Sequence, residues 1–170
     1  MKNFLVKYFY VLIFLIIAQC IQLYSQSKVD TKNYNALKSL SKEHIEGLLN
    51  GESMGMAKAA ELNGYPGPRQ ILDYIEELKL NDNQVDQLRL IYVKEKEEAI
   101  KLGRSIIDEE RKLNELFSNK TANPQNLEDN LIKIAVQNGK LRYVHLKAHY
   151  EARKLLSEKQ INLYYKIKSS

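Results

Sequence analysis

The sequence predicts an all-α fold, and three observations carry that prediction. Two long stretches, roughly 82–117 and 125–155, place apolar residues at steps of three and four, the period of one helical face. No stretch alternates apolar and polar residues as a half-buried strand does. Twice, at Asn81-x-x-Gln84 and Ser157-x-x-Gln160, a capping residue stands three positions before a glutamine and opens an apolar helical pattern.

The elements follow in chain order. Lys2 and Lys7 flank the start of the apolar run "YFYVLIFLIIA", and Gln19, Cys20 and Gln22 break it. A charged start, a short apolar centre and a polar exit describe an export signal, here 1–26, and the run falls short of the ~20 apolar residues of a clean membrane span. The expected cleavage falls between Leu23 and Gln26; a retained anchor is the alternative. Residues 27–35 are polar and without period, which predicts a flexible leader. A single helical domain is expected over 36–168. Its first helix runs from Ala36 to Leu49 and stops at Asn50-Gly51. The alanine-rich "SMGMAKAAELNG" reads as a short helix closed by Asn63-Gly64. "YPGPR" makes a rigid corner, because each proline fixes its own φ and pushes the preceding residue out of the helical region. A helix from Pro68 to Lys79 then restarts the pattern.

At the two repeated formulas the side chains form capping boxes. Asn81 and Ser157 accept from the first turn, while Gln84 and Gln160 reach back to the cap N–H. Leu80 with Val85, and Leu156 with Ile161, occupy hydrophobic-staple positions. Each formula is a hinge between consecutive helices. The two long helices present Leu88, Ile91, Ala99, Leu102, Ile106, Leu113 and Leu116 on one, and Leu127, Leu131, Ile134, Leu141, Ala148, Ala152 and Leu155 on the other. The short loop "SNKTANP" between them predicts an antiparallel hairpin.

Polar residues interrupt that seam. Glu95 and Glu109 fall on the first stripe, Asn138 and His145 on the second, with His149 one turn beyond His145. If the chain folds back near Thr121 or Ala122, Glu95 lies opposite His149. A carboxylate facing an i, i+4 histidine pair suits a divalent ion such as zinc, copper or nickel, with Met54 and Met56 as further soft donors. The alternative is a core histidine satisfied by a neighbouring carboxylate. His44, beside Glu43, reads as a surface residue.

Composition narrows the function classes. Cys20 is the only cysteine, so the exported chain has no disulfide and no thiolate. The net charge is +5 over 170 residues, and removal of Lys2 and Lys7 with the signal leaves a mild +3. With charges of both signs interspersed, nucleic acid is not an expected partner, nor is stable membrane insertion once the signal is gone. No Ser, His and Asp grouping and no glycine-rich phosphate loop after a strand is present, so no enzyme is expected.

Paired L-[T/S/N]-x-x-Q hinges around a long helical hairpin, behind an export signal, resemble the LTxxQ group of small bacterial periplasmic proteins. That group includes the Spy/CpxP-type chaperones and periplasmic heavy-metal sensor and resistance proteins. "GESMGMAKAAELNGYPGPRQIL" and "LRYVHLKAH" are similar to blocks in the heavy-metal sensor members. Asn81 departs from the usual threonine or serine, yet asparagine caps equally well. The resemblance implies a cradle-shaped periplasmic homodimer of the envelope or heavy-metal stress response. Such a protein binds unfolded envelope proteins without ATP, acts with a membrane stress sensor, or senses metal. Tyr143, Tyr150, Tyr164 and Tyr165 are candidate contributors to the binding face. A non-catalytic scaffold or adaptor for another envelope protein is the alternative.

Overall fold

The computed structural model describes residues 37 and 39–169. The expected export signal (1–26) and leader (27–35), with Cys20, lie outside the described residues. Within them every regular element is helical: α1 (Lys42–Leu49), α2 (Lys58–Glu61), α3 (Pro68–Leu72), α4 (Asp82–Ser118), α5 (Pro124–Lys154) and α6 (Glu158–Lys168). None of these helices is long and apolar enough to cross a membrane.

The helix starts are set by side chains. Ser41 accepts from the His44 N–H and begins α1 there, later than the expected Ala36, because the cap satisfies a first-turn donor only in that register. Asn81 and Ser157 form both predicted capping boxes. A third box, Asn123 with Asn126, begins α5; asparagine at the third helical position makes the same reciprocal bonds as glutamine.

Three chain reversals share one device. After α1, the Glu52 N–H donates to the Gly47 carbonyl and the Gly51 N–H to Leu48, with Gly51 at φ +59°. The same pair of bonds closes the chain at Leu80 and Lys79, where Lys79 has φ +49°, and at Thr121 and Lys120, where Lys120 has φ +56°. These are Schellman motifs, two of them built on lysine where glycine is usual. The regular part of the predicted 68–79 helix stops at Leu72. Beyond it the Tyr74 N–H bonds three residues back to Ile71, and the chain winds through successive turns to the Lys79 reversal.

α4 and α5 pack side by side and antiparallel. Gln84 meets Leu155, Glu95 meets His145 and Glu109 meets Asn130, so one position falls as the other rises. α1 and α3 pack on α4, and α2 on α5. Two buried groups result. Ile45, Leu48 and Leu49 of α1 are buried, as are Ala99, Ile106 and Ile107 of α4. Gly103 lets the α1 backbone approach: a Cβ there would collide with the Leu48 carbonyl. At the other end Ile71, Leu78, Leu88, Ala152, Leu156, Ile161 and Tyr164 form one apolar cluster.

At the same end the two capping boxes meet in a clasp. Gln84 Oε1 accepts from the Asn81 N–H at 3.1 Å, and Gln160 Oε1 from the Ser157 N–H at 2.9 Å. Each amide then turns its Nε2 outward. Gln84 donates to the Leu155 carbonyl at 2.7 Å and Gln160 to the Leu78 carbonyl at 3.2 Å. Each also reaches the other's Oε1, at 3.2 and 3.3 Å. Every glutamine therefore caps its own helix and holds the end of the segment leading into the other.

Candidate functional site

Of the predicted site residues, Glu95 lies on α4 and His145 and His149 on α5, and the structure separates their roles. Glu95 Oε1 is 2.8 Å from His145 Nδ1, with His145 1% exposed. His149 is not opposite Glu95 as expected; its Nδ1 lies 2.8 Å from the Tyr65 carbonyl oxygen. The register differs because the chain reverses at Asn119 and Lys120, before Thr121, and each residue by which a fold-back point moves shifts the opposite residue by two. Glu95 accordingly meets the histidine one turn earlier.

Both ring tautomers follow from the partners. A carboxylate and a carbonyl accept only, so Nδ1 carries the proton in His145 and in His149. Nε2 is left in each. In His145 it is buried without a hydrogen-bond partner. In His149 it faces Gly67, where a Cβ would stand 2.9 Å away. The "YPGPR" corner is thereby seated on α5: His149 donates to Tyr65, the bare Gly67 admits the ring edge, and the Arg153 guanidinium lies 5.3 Å over the Tyr65 ring.

Tested as a metal centre, the donor set is small. A histidine whose Nδ1–H is held by a carboxylate or carbonyl presents Nε2 as a metal-ligating histidine does. Glu95, however, has its Oε1 on His145 Nδ1, where it orients the ring. Among the described residues no three His, Cys, Asp or Glu side chains gather to hold an ion. The Met54 side chain packs against Gly47, and His44 is exposed. Asn138 donates to the Ile134 carbonyl of its own helix, so it does not cross the seam. Glu109 accepts from Asn130, whose own Oδ1 is buried without a partner.

The four tyrosines divide. Tyr143 and Tyr150 are 64% and 51% exposed. Tyr164 is instead a core residue, stacked edge-on to Tyr74 and Tyr165, with its hydroxyl 3.2 Å from Gln70 Oε1. Burial, followed by the nearby Tyr74, Glu61 and Asp73, pushes its hydroxyl up to about 12. Tyr165 is half-buried and donates to the Glu61 carbonyl; burial raises its hydroxyl also.

The exposed Tyr143 and Tyr150 belong to a second apolar row on α5, whose other members the sequence reading did not single out. Ile132, Val136, Gly139, Tyr143, Leu146 and Tyr150 follow one another at alternating steps of four and three, and all but the half-buried Leu146 are exposed. At 3.6 residues per turn this row stands about half a turn from the buried Ile134, Leu141 and Ala148. The expected inward Leu131 belongs to the outer side as well, at 52% exposure, and Asn130 takes the inward place. The signal was in the sequence. A helix apolar on two faces gives periodicity no means of choosing which one packs inward.

Compared with known proteins, the chain matches no family model, no curated protein and no solved structure. The likeness to the LTxxQ group therefore stands on the two hinge formulas, the block at 51–72 before the first of them and the segment at 141–149 between them.

Proposed function

We propose that this protein is a non-catalytic helical binding protein of the bacterial envelope that holds unfolded polypeptides without ATP. One observation carries the reading: apolar side chains of α5, including Ile132, Val136, Tyr143 and Tyr150, stand about half exposed on a face the described chain leaves uncovered. Exposed apolar area rimmed by charge marks an interaction surface. The long hairpin gives that surface a rigid backing, so binding requires no change of fold. The test is suppression of aggregation of a reduced, unfolded client at stoichiometric amounts, without nucleotide. Unchanged light scattering removes the reading.

A second reading, metal-linked stress sensing, is favoured by His145, whose oriented ring keeps a buried, unpartnered Nε2. It expects saturable binding of Zn²⁺, Cu²⁺ or Ni²⁺ near neutral pH that His145→Ala and His149→Ala together abolish, and that acid weakens because a ligating imidazole must be neutral. Calorimetry without binding heat assigns the Glu95–His145 pair to structure alone.

A further inference from the structure

We propose that the outer face of α5 is a docking seam for an acidic amphipathic helix. The inference rests on the reading of this face as a binding surface and names its partner. The alternating four-three spacing from Ile132 to Tyr150 is the 3.5-residue period of a coiled-coil seam. At 100° per residue the row stays within an arc of about 80°, the narrow stripe that fits one facing helix, where a helix lying on a membrane presents a broader apolar face. It extends over about 27 Å at 1.5 Å per residue, long enough to take several turns of a partner.

Gly139 sits in the middle of this row. A glycine inside a helix costs about 1 kcal/mol relative to alanine. Nothing among the described residues calls for one here, since a Cβ at Gly139 would meet none of their atoms within 4 Å. An external backbone or a large side chain approaching at this notch supplies the reason.

The edges decide the partner's charge. Lys133, Lys140 and Lys147 each follow a row residue by one position, Arg142 precedes another, and all four are exposed. Lys133, Lys140 and Arg142 make no ion pair with the described residues, and Lys147 has only a 3.8 Å approach to Glu151. Carboxylates enter at the margins, Glu128 and Asp129 before the row and Glu151 after it. A second copy is a poor occupant. Paired antiparallel it sets Lys133 near Lys147 and Lys140 near Lys140; paired parallel it sets Arg142 near Lys147. A helix with apolar residues at its own seam and Asp or Glu at the flanking positions satisfies both the row and its edges.

The test uses the full chain and three labelled synthetic helical peptides with the same apolar heptads. One carries Glu at the flanking positions, one Lys, and one has the Glu version's residues scrambled. Fluorescence anisotropy should show saturable binding of the Glu peptide alone. Val136→Glu, an exposed change, should weaken it by roughly tenfold or more, and Lys133→Glu with Lys140→Glu should transfer the preference to the Lys peptide. Equal binding of Glu and Lys peptides, or no effect of Val136→Glu, overturns the inference. So does self-association in ultracentrifugation that Val136→Glu abolishes, or preferential binding to phosphatidylglycerol vesicles over the peptide. Aggregation suppression measured on the same samples separates the two failures. Suppression without Glu-peptide binding removes this seam and leaves the holding function, whereas loss of both removes the function itself.

Discussion

Lys79 and Lys120 hold backbone angles that glycine adopts without steric cost, and they hold them because Schellman bonds close around them, one at the end of the turns after α3 and one at the end of α4. Left-handed backbone costs an L-residue with a Cβ roughly 1 kcal/mol or more. Lys79→Gly and Lys120→Gly should therefore each raise stability, by about 0.5–1 kcal/mol after the extra freedom of glycine in the unfolded chain is set against the relief. Denaturant melts of the single variants measure this directly. Two glycines predict the opposite sign. Gly67→Ala meets the ring edge of His149, which can rock, so a loss of about 1–3 kcal/mol is expected. Gly103→Ala meets the Leu48 carbonyl, which is backbone and cannot swing aside, so it should cost more and dislodge α1 from α4. Gly51 and Gly64 were legible as stops, since glycine after a last turn is a chemical preference written in the chain. The lysines were not, because their φ is imposed by bonds that form only once the helix has ended.

Among the elements, the clasp of Gln84 and Gln160 joins both capping boxes through one pair of amides. Truncating either side chain leaves a carbonyl, Leu155 or Leu78, without that donor and frees the opposite amide. Gln84→Ala and Gln160→Ala should each cost about 1–3 kcal/mol. In a double-mutant cycle they should be non-additive by about 0.5–3 kcal/mol, because the second deletion removes bonds the first has already broken. Strict additivity would show that the boxes act as independent caps. Ser157→Ala, which removes the cap oxygen and its hydroxyl bond to Gln160 Oε1 but leaves both glutamine amides in place, should cost about 1 kcal/mol. The boxes themselves were readable from Asn81, Gln84, Ser157 and Gln160. Their meeting was not, as it depends on the antiparallel packing of α4 and α5 bringing positions 76 residues apart to hydrogen-bond distance.

For the molecule as a whole, stability should fall in alkali. Tyr164 has its hydroxyl raised from 10.0 to about 12, mainly by burial, so the folded form keeps the proton more tightly than the unfolded one. The stabilisation is fully present below pH 10 and is lost as pH rises from about 10 to 12, worth on the order of 2–3 kcal/mol. Denaturant midpoints measured across that range should drop, and Tyr164→Phe should flatten the drop while lowering stability at neutral pH through the lost bond to Gln70. The large apolar rings of Tyr164, Tyr74 and Tyr165 thus tie α6 to the segment after α3. In the sequence Tyr164 looks no different from Tyr143, which lies open on α5.

The sequence by itself determined the all-helical class, the long antiparallel hairpin and the places where its hinges begin, because periodicity, capping and turn chemistry act over a few neighbouring residues. Only the tertiary structure decided that Glu95 meets His145, that His149 seats the Tyr65–Gly67 corner, and that the row from Ile132 to Tyr150 faces outward. Those outcomes depend on where the chain reverses and on which of two apolar faces another helix covers. A reversal at Lys120 instead of Thr121 or Ala122 shifts each facing pair by two to four residues, about half a turn to a full turn, and no local pattern carries that distance.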